Sequence, residues 1–118
     1  MAKIKSEHKE KLNVLLSGKD YITVWGGDPK VAEYSELLIT GLVICHLIDS
    51  DINKRGKYIG AISKPVESVS EDILKKSDAI VIFASAYNET ILEQLKSVFH
   101  YEGTVIYFEE DDIKEKIF

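Results

Sequence analysis

The chain lacks several features that would define its class by themselves. It has one cysteine, Cys45, so an internal disulfide is excluded, and this composition is typical of proteins in a reducing compartment. No apolar run approaches the ~18–20 residues that a membrane-spanning helix requires. The first ten residues also lack the apolar core of a signal peptide. We therefore expect a cytoplasmic protein that has no membrane partner.

A basic surface is missing as well. The chain has 15 Lys and Arg residues against 20 Asp and Glu residues, which gives a formal net charge of −5. The lysines are scattered among acids and form no stripe. Because binding to nucleic acid depends on concentrated positive charge against phosphates, we do not expect DNA or RNA as a partner.

Residues that break regular structure are few, with two prolines and seven glycines in 118 residues. They fall at the joints between periodic segments, and no repeat, low-complexity segment or linker is present. A length of 118 residues with 45% apolar residues suits one compact core. We expect a single domain over 1–118, with a leading helix (1–18), a core (20–108) and an acidic tail (109–118).

Strand and helix patterns alternate through the core. The apolar, β-branched segments predict strands at 21–25, 42–49, 79–84 and 104–108, with a weak strand near 61–63 or 65–67. Apolar residues at helical spacing predict helices over 6–17, 29–40, 70–77 and 88–100. The acidic tail is expected to form one helical turn at most.

This alternation predicts an α/β fold built from βαβ units. We expect a three-layer Rossmann-like domain, with a mostly parallel sheet of about five strands in the order 3-2-1-4-5 and helices on both faces. A flavodoxin-like order, 2-1-3-4-5, is the alternative. In the first order, strands 21–25 and 79–84 flank the point where the strand order reverses, and ligands bind there beyond the carboxyl ends of the strands.

The turn after the first strand is the first part of the candidate site. Gly26 and Gly27 would let a ligand approach the backbone, and the start of a helix offers N–H groups to an anion. The dinucleotide fingerprint G-x-G-x-x-G has Asp28 and Val31 in place of its second and third glycines, which disfavours NAD. Asp28 also fits the N-cap of the next helix. A tight turn without a ligand is therefore the alternative.

Other candidate residues lie near the same end of the sheet. Asp49 ends the second strand, about twenty residues after the glycines, where a carboxylate binds a ribose hydroxyl in NAD-binding folds. Ser85, Tyr87 and Asn88 follow the fourth strand; Tyr87 can stack on a base or cover the sheet edge, and Ser85 or Asn88 can cap the next helix. Lys30 either offsets the charge of Asp28 or is simply solvated.

Catalytic and metal-binding patterns are absent from the sequence. The three histidines have no spacing typical of metal ligands, and no Ser-His-Asp or Cys-His constellation follows from spacing. His46 lies in an apolar strand, which favours a buried, hydrogen-bonded histidine, and Cys45 beside it is interpreted as a small core residue. A receiver domain is disfavoured because the first strand is not followed by an acidic cluster.

A longer segment resembles a known kind of module. It reads LIDSDINKRGKYIGAISKPVESVSEDILKKSDAIVIFASAYNETILEQL (47–95): a strand ending in Asp, a loop with Lys and two glycines, a short helix, a buried strand and a helix. It is similar to the C-terminal domain of sugar C-methyltransferases, and to modules of hexapeptide-repeat sugar acyltransferases and of nucleotide-sugar dehydratases in polysaccharide biosynthesis.

The resemblance implies that Gly26, Gly27, Asp49 and the loop 85–88 face a nucleotide or nucleotide-sugar. We therefore expect a non-catalytic binding module for such a ligand, associated with sugar or polysaccharide biosynthesis. A homodimer or an enzyme of sugar metabolism is the expected protein partner. A protein-interaction or scaffold domain with an empty crevice is the alternative.

Overall fold

The computed structural model of the chain describes residues 6–26, 44–58, 64–83, 85–109 and 112–118. These residues form six strands and three α-helices. The strands are β1 (Ile22–Trp25), β2 (Ile44–Asp49), β3 (Val66–Ser68), β4 (Ala79–Ile82), β5 (Thr104–Glu109) and β6 (Asp112–Ile117), and the helices are α1 (Ser6–Leu16), α2 (Glu71–Lys76) and α3 (Asn88–Ser97). The helix predicted over 29–40 lies outside the described residues.

The strands form one sheet in the order β3-β2-β1-β4-β5-β6. All neighbouring pairs are parallel except β5 and β6, which are antiparallel. The expected α/β class, the mostly parallel sheet and the order 3-2-1-4-5 of its first five strands are confirmed, and the flavodoxin-like order is wrong. The weak strand is found at Val66–Ser68, close to the second of its two predicted positions.

The sheet has six strands rather than about five, because the acidic tail forms β6 and not a helical turn. Six residue pairs join β6 to β5 in a hairpin, among them Phe108 with Ile113. Ile113 is buried in the core, whereas Lys114, Glu115 and Lys116 are exposed. An edge strand needs few apolar residues, since the hairpin itself supplies its hydrogen bonds.

The two faces of the sheet bury separate apolar clusters. On one face, Leu12 and Leu16 of α1 pack with residues that include Val24 and Val81. On the other face, Leu74 of α2 and Leu95 of α3 pack with the strand residues Trp25, Ile48, Ile80, Ile82 and Val105. Helices thus cover both faces, which explains why β1 and β4 are buried at every position. Within the described residues, no helix has the length and apolar character needed to cross a membrane.

Asp112 at the start of β6 connects the tail to the leading helix. Its Oδ1 lies 3.2 Å from Nζ of Lys11 and accepts the backbone N–H of Ile113 at 2.8 Å. These two donors, the Ile113 N–H first, hold the pKa of the Asp112 carboxyl below its usual value. An exposed ion pair therefore links the hairpin to α1.

A buried tyrosine gives the first testable prediction. The hydroxyl of Tyr101 donates to the Ser77 carbonyl at 2.8 Å, and burial, followed by the charge of Asp78, raises the pKa of Tyr101 well above its usual value of 10.0. The unfolded chain loses this proton near pH 10 and the native protein does not. Below that pH, Tyr101 is protonated in both states and its contribution to stability is complete. Above that pH the free energy of unfolding should fall, by up to about 1.4 kcal/mol per pH unit.

Urea unfolding between about pH 9 and about pH 11 measures this effect. Tyr101→Phe is the control, because it removes the titrating group and should flatten the profile in that interval. Its stability at neutral pH should fall by about 1 kcal/mol, since the Ser77 carbonyl loses its donor. If the profiles of the native protein and of Tyr101→Phe had the same slope, the interpretation would be wrong.

Candidate functional site

A cleft opens at the carboxyl ends of β1 and β2, beside the first turns of α3. Its volume is about 450 Å³, and we refer to it as the main cleft. The described residues that line it are Trp25, Asp49, Ser50, Asp51, Lys54, Tyr87, Thr90, Ile91 and Gln94. In the sheet, β1 has β2 on one side and β4 on the other, so the strand order reverses at β1. The cleft lies at this point of strand reversal, where α/β sheets bind ligands.

The turn after β1 is described only as far as Gly26. This residue has a φ of +132°, which a side chain would rarely allow. Its N–H donates to the Ile48 carbonyl at 2.8 Å and so continues the pairing of β1 with β2. Gly26 thus shapes the turn and is not one of the described lining residues. The other predicted residues of this turn, Gly27, Asp28 and Lys30, lie outside the described residues.

Asp49 lies where the sequence placed it, at the end of β2 and in the wall of the main cleft. Its side chain is 14% exposed, with Oδ1 accepting the N–H of Asp51 at 2.8 Å and Oδ2 lying 3.8 Å from Nζ of Lys54. Asp51 repeats the pattern, because its Oδ1 accepts the N–H of Asn53 at 2.9 Å and caps a 3₁₀ turn, Ile52–Lys54. The loop after β2 therefore presents two carboxylates in fixed positions.

The segment after β4 contributes one of the predicted residues to the cleft. A 3₁₀ turn, Ser85–Tyr87, leads into α3, and Tyr87 lies at the cleft with 62% of its surface exposed. Asn88 is only 8% exposed, and its Nδ2 donates to the Phe108 carbonyl of β5 at 2.6 Å. Asn88 is thus the first residue of α3 and joins it to the sheet. The interpretation of Asn88 as a helix cap is wrong, since the N-cap position belongs to Tyr87.

Several lining residues were not identified from the sequence. Trp25 was interpreted only as a strand residue, yet it lines the cleft and is nearly buried. Thr90 and Gln94 lie one turn apart on α3 and add a hydroxyl and an amide. Their spacing of four on α3 was a usable signal for a shared polar face. The assembled surface combines aromatic rings, carboxylates and hydrogen-bonding groups, a mixture typical of small-molecule sites.

A second, smaller cleft adjoins the first, and we refer to it as the side cleft. Its volume is about 270 Å³, and it shares Asp49, Ser50 and Asp51 with the main cleft. Its other lining residues are Ile52, Arg55, Ser68 and Val69. The loop 49–51 is therefore a wall common to both clefts, and a ligand of two parts could occupy both.

A separate polar row joins the residue before β1 to β2 and β3. Nε2 of His46 lies 2.6 Å from the hydroxyl of Tyr21, and Nδ1 lies 2.5 Å from Oε2 of Glu67. The prediction of a hydrogen-bonded histidine is confirmed, although the ring is half-buried rather than buried. Cys45 is likewise only partly buried. Within the described part of the chain, no three His, Cys, Asp or Glu side chains are grouped so that they could hold a metal ion.

Comparison of the chain with models of protein families finds no match, and comparison with curated proteins finds none either. The resemblance to modules of nucleotide-sugar metabolism therefore stays a prediction.

Proposed function

We propose that the chain is a non-catalytic module that binds a nucleotide or nucleotide-sugar in the main cleft, beside an enzyme of sugar or polysaccharide biosynthesis. The observation that carries the proposal is the meeting of Asp49 and Tyr87 in one cleft at the point of strand reversal. A carboxylate and an exposed aromatic ring suit the two parts of a nucleoside, since the first accepts ribose hydroxyls and the second covers the base.

The rest of the main cleft supports this type of ligand. Its volume of about 450 Å³ falls within the usual range for small-molecule sites. Trp25 and Ile91 supply apolar surface for a ring, and Gln94 supplies both a donor and an acceptor. Because Lys54, the one basic residue among the described lining residues, lies 3.8 Å from the Asp49 carboxylate, the main cleft is better suited to the neutral base and sugar than to phosphates.

Fluorescence of the only tryptophan tests the proposal directly, because Trp25 lies in the cleft. Titration with UDP-glucose, UDP, NAD, NADP and S-adenosylmethionine should change the emission for at least one uridine or adenosine nucleotide. At 100 times its dissociation constant, such a ligand should also stabilise the protein by roughly 2.7 kcal/mol in a thermal-shift assay. No change in either measurement with any of these compounds would refute the proposal.

Tyr87 provides a prediction for the base. Tyr87→Ala should weaken nucleotide binding about five-fold, which corresponds to the roughly 1 kcal/mol of an aromatic contact. Tyr87→Phe keeps the ring and should bind normally. Tyr58→Ala is the matched control, because Tyr58 is equally exposed, at 68%, and is not one of the described lining residues of the main cleft. Equal affinities of Tyr87→Ala and the native protein would remove Tyr87 from the site.

A protein-interaction domain is the second candidate, and the position of β6 favours it. Among the described strands β6 pairs only with β5 and ends the sheet, so no described strand pairs with the backbone groups on its other side. Ile117 at its end is exposed. Light scattering distinguishes the two candidates: a dimer or a complex that forms without nucleotide binding supports interaction, and a monomer that binds nucleotide supports the first proposal.

A further inference from the structure

Arg55 is the only arginine in a chain with 14 lysines, and it lines the side cleft. It follows the 3₁₀ turn after β2, and its Nη2 donates to Oγ of Ser68 at the end of β3. Within the part of the chain that the structure describes, no carboxylate forms an ion pair with this guanidinium. A fixed arginine without an acidic partner, located in a cleft, is suited to binding an anion.

The nearby acids form no ion pair with Arg55 among the described residues. Asp49 and Asp51 also line the side cleft, but each carboxylate accepts a backbone N–H of its own loop. Asp49 in addition lies near the ammonium of Lys54. A guanidinium has five N–H donors, and Ser68 accepts from one nitrogen only. Among the described residues the remaining donors have no acceptor, so a ligand that enters the side cleft can accept from them.

We infer that Arg55, held by Ser68, forms a phosphate subsite for the nucleotide whose base and ribose occupy the main cleft. The inference rests on the proposed function. Asp49 belongs to the wall between the two clefts, so a ribose whose hydroxyls bind Asp49 brings its phosphate within reach of Arg55. The planar guanidinium can donate two parallel hydrogen bonds to a phosphate, which an ammonium cannot do.

Because the chain has one arginine, an arginine-selective reagent labels a single position. We propose to treat the native protein with phenylglyoxal and to follow the modification by intact mass. UMP or AMP should slow the modification at least about five-fold, whereas uridine or adenosine at equal saturation should not, since only the nucleotides bring a phosphate to Arg55. Comparing 5′-monophosphates with 2′- and 3′-monophosphates shows which ribose oxygen must carry the phosphate for it to protect Arg55. Inorganic phosphate tests the subsite without the base and the ribose.

Two substitutions complete the test. Arg55→Gln should weaken the binding of the nucleotide about ten-fold, because a charge-assisted contact is lost, and should leave nucleoside binding unchanged. Arg55→Lys should restore only part of the affinity. Lys57→Gln is the matched control, since it removes the same charge from the same loop and Lys57 is not one of the described residues of either cleft.

The outcomes separate this inference from the proposed function. If nucleotides and nucleosides bind equally well and Arg55→Gln changes neither, the subsite is refuted while the binding module stands. If neither nucleosides nor nucleotides bind in the main cleft but inorganic phosphate still protects Arg55, the proposed function fails and only an anion subsite at Arg55 remains. Equal losses in Arg55→Gln and Lys57→Gln would show a general charge effect and would also refute the subsite.

Discussion

Phe83→Ala should lower the free energy of unfolding by about 3–5 kcal/mol, the largest loss that we expect from a single substitution. Phe83 follows β4, is fully buried, and its ring centroid lies 5.6 Å from that of Phe108. It belongs to the cluster beneath α1, where Leu12 and Leu16 also pack. Removing the ring leaves a cavity that this close-packed cluster cannot fill, so the loss exceeds that of the buried area alone.

Urea unfolding, followed by far-UV circular dichroism, measures the change. Phe83→Leu keeps most of the volume and should cost clearly less, about 1–2 kcal/mol. Val98→Ala is the surface control, since Val98 is largely exposed, and it should stay within about 0.5 kcal/mol of the native protein. A loss below about 1 kcal/mol for Phe83→Ala would contradict the packing described for this face of the sheet.

The buried strands could be predicted because their signal is local. The run AIVIFA contains no polar residue, and β4, which it encloses, is buried at every position. Once the strands and the helices between them are placed, the right-handed connection rule leaves few strand orders. The position of Asp49 depends only on where β2 ends and on the strand order. Asp49 could therefore be assigned to the point of strand reversal from the sequence.

The sixth strand could not be predicted because its cause is not local. Charged residues separate Ile113 from Ile117 in the tail, and a spacing of four fits a helical turn as well as a strand. Pairing with β5 decides between them, through hydrogen bonds and through burial of Ile113 beside Phe108. Asn88 is a similar case: its side chain suits a cap, but the carbonyl of Phe108, twenty residues away, is the group it binds.

The composition of the clefts was also hidden, because it depends on side-chain direction. In the sequence, Trp25 cannot be distinguished from an aromatic residue that only packs in a strand. In the structure it lines the same cleft as Thr90 and Gln94 of α3. Arg55 and Ser68 are 13 residues apart, and only the parallel pairing of β2 with β3 brings their loop and strand end together. Sequence therefore predicts the location of the candidate cleft, and tertiary contacts determine which side chains line it.

Asp49→Asn should weaken nucleotide binding roughly 10- to 100-fold, because it removes the charge that makes the carboxylate a strong acceptor for ribose hydroxyls. An asparagine Oδ1 can still accept the Asp51 N–H that Asp49 accepts in the native protein. The turn should therefore persist, and the free energy of unfolding should change by no more than about 1 kcal/mol. The titration of Trp25 fluorescence measures affinity, and urea unfolding measures stability in the same variant.

Asp51→Asn is the matched control for this prediction. Asp51 carries the same charge two residues away, accepts a backbone N–H in the same manner and lines both clefts, but it is exposed whereas Asp49 is mostly buried. Loss of the Asp51 charge should leave affinity unchanged or raise it, since a phosphate in the side cleft is repelled less. Retained affinity in Asp49→Asn would place the ribose elsewhere. Equal losses of affinity in both variants would mean that the negative charge of the loop, and not a contact with Asp49, determines binding.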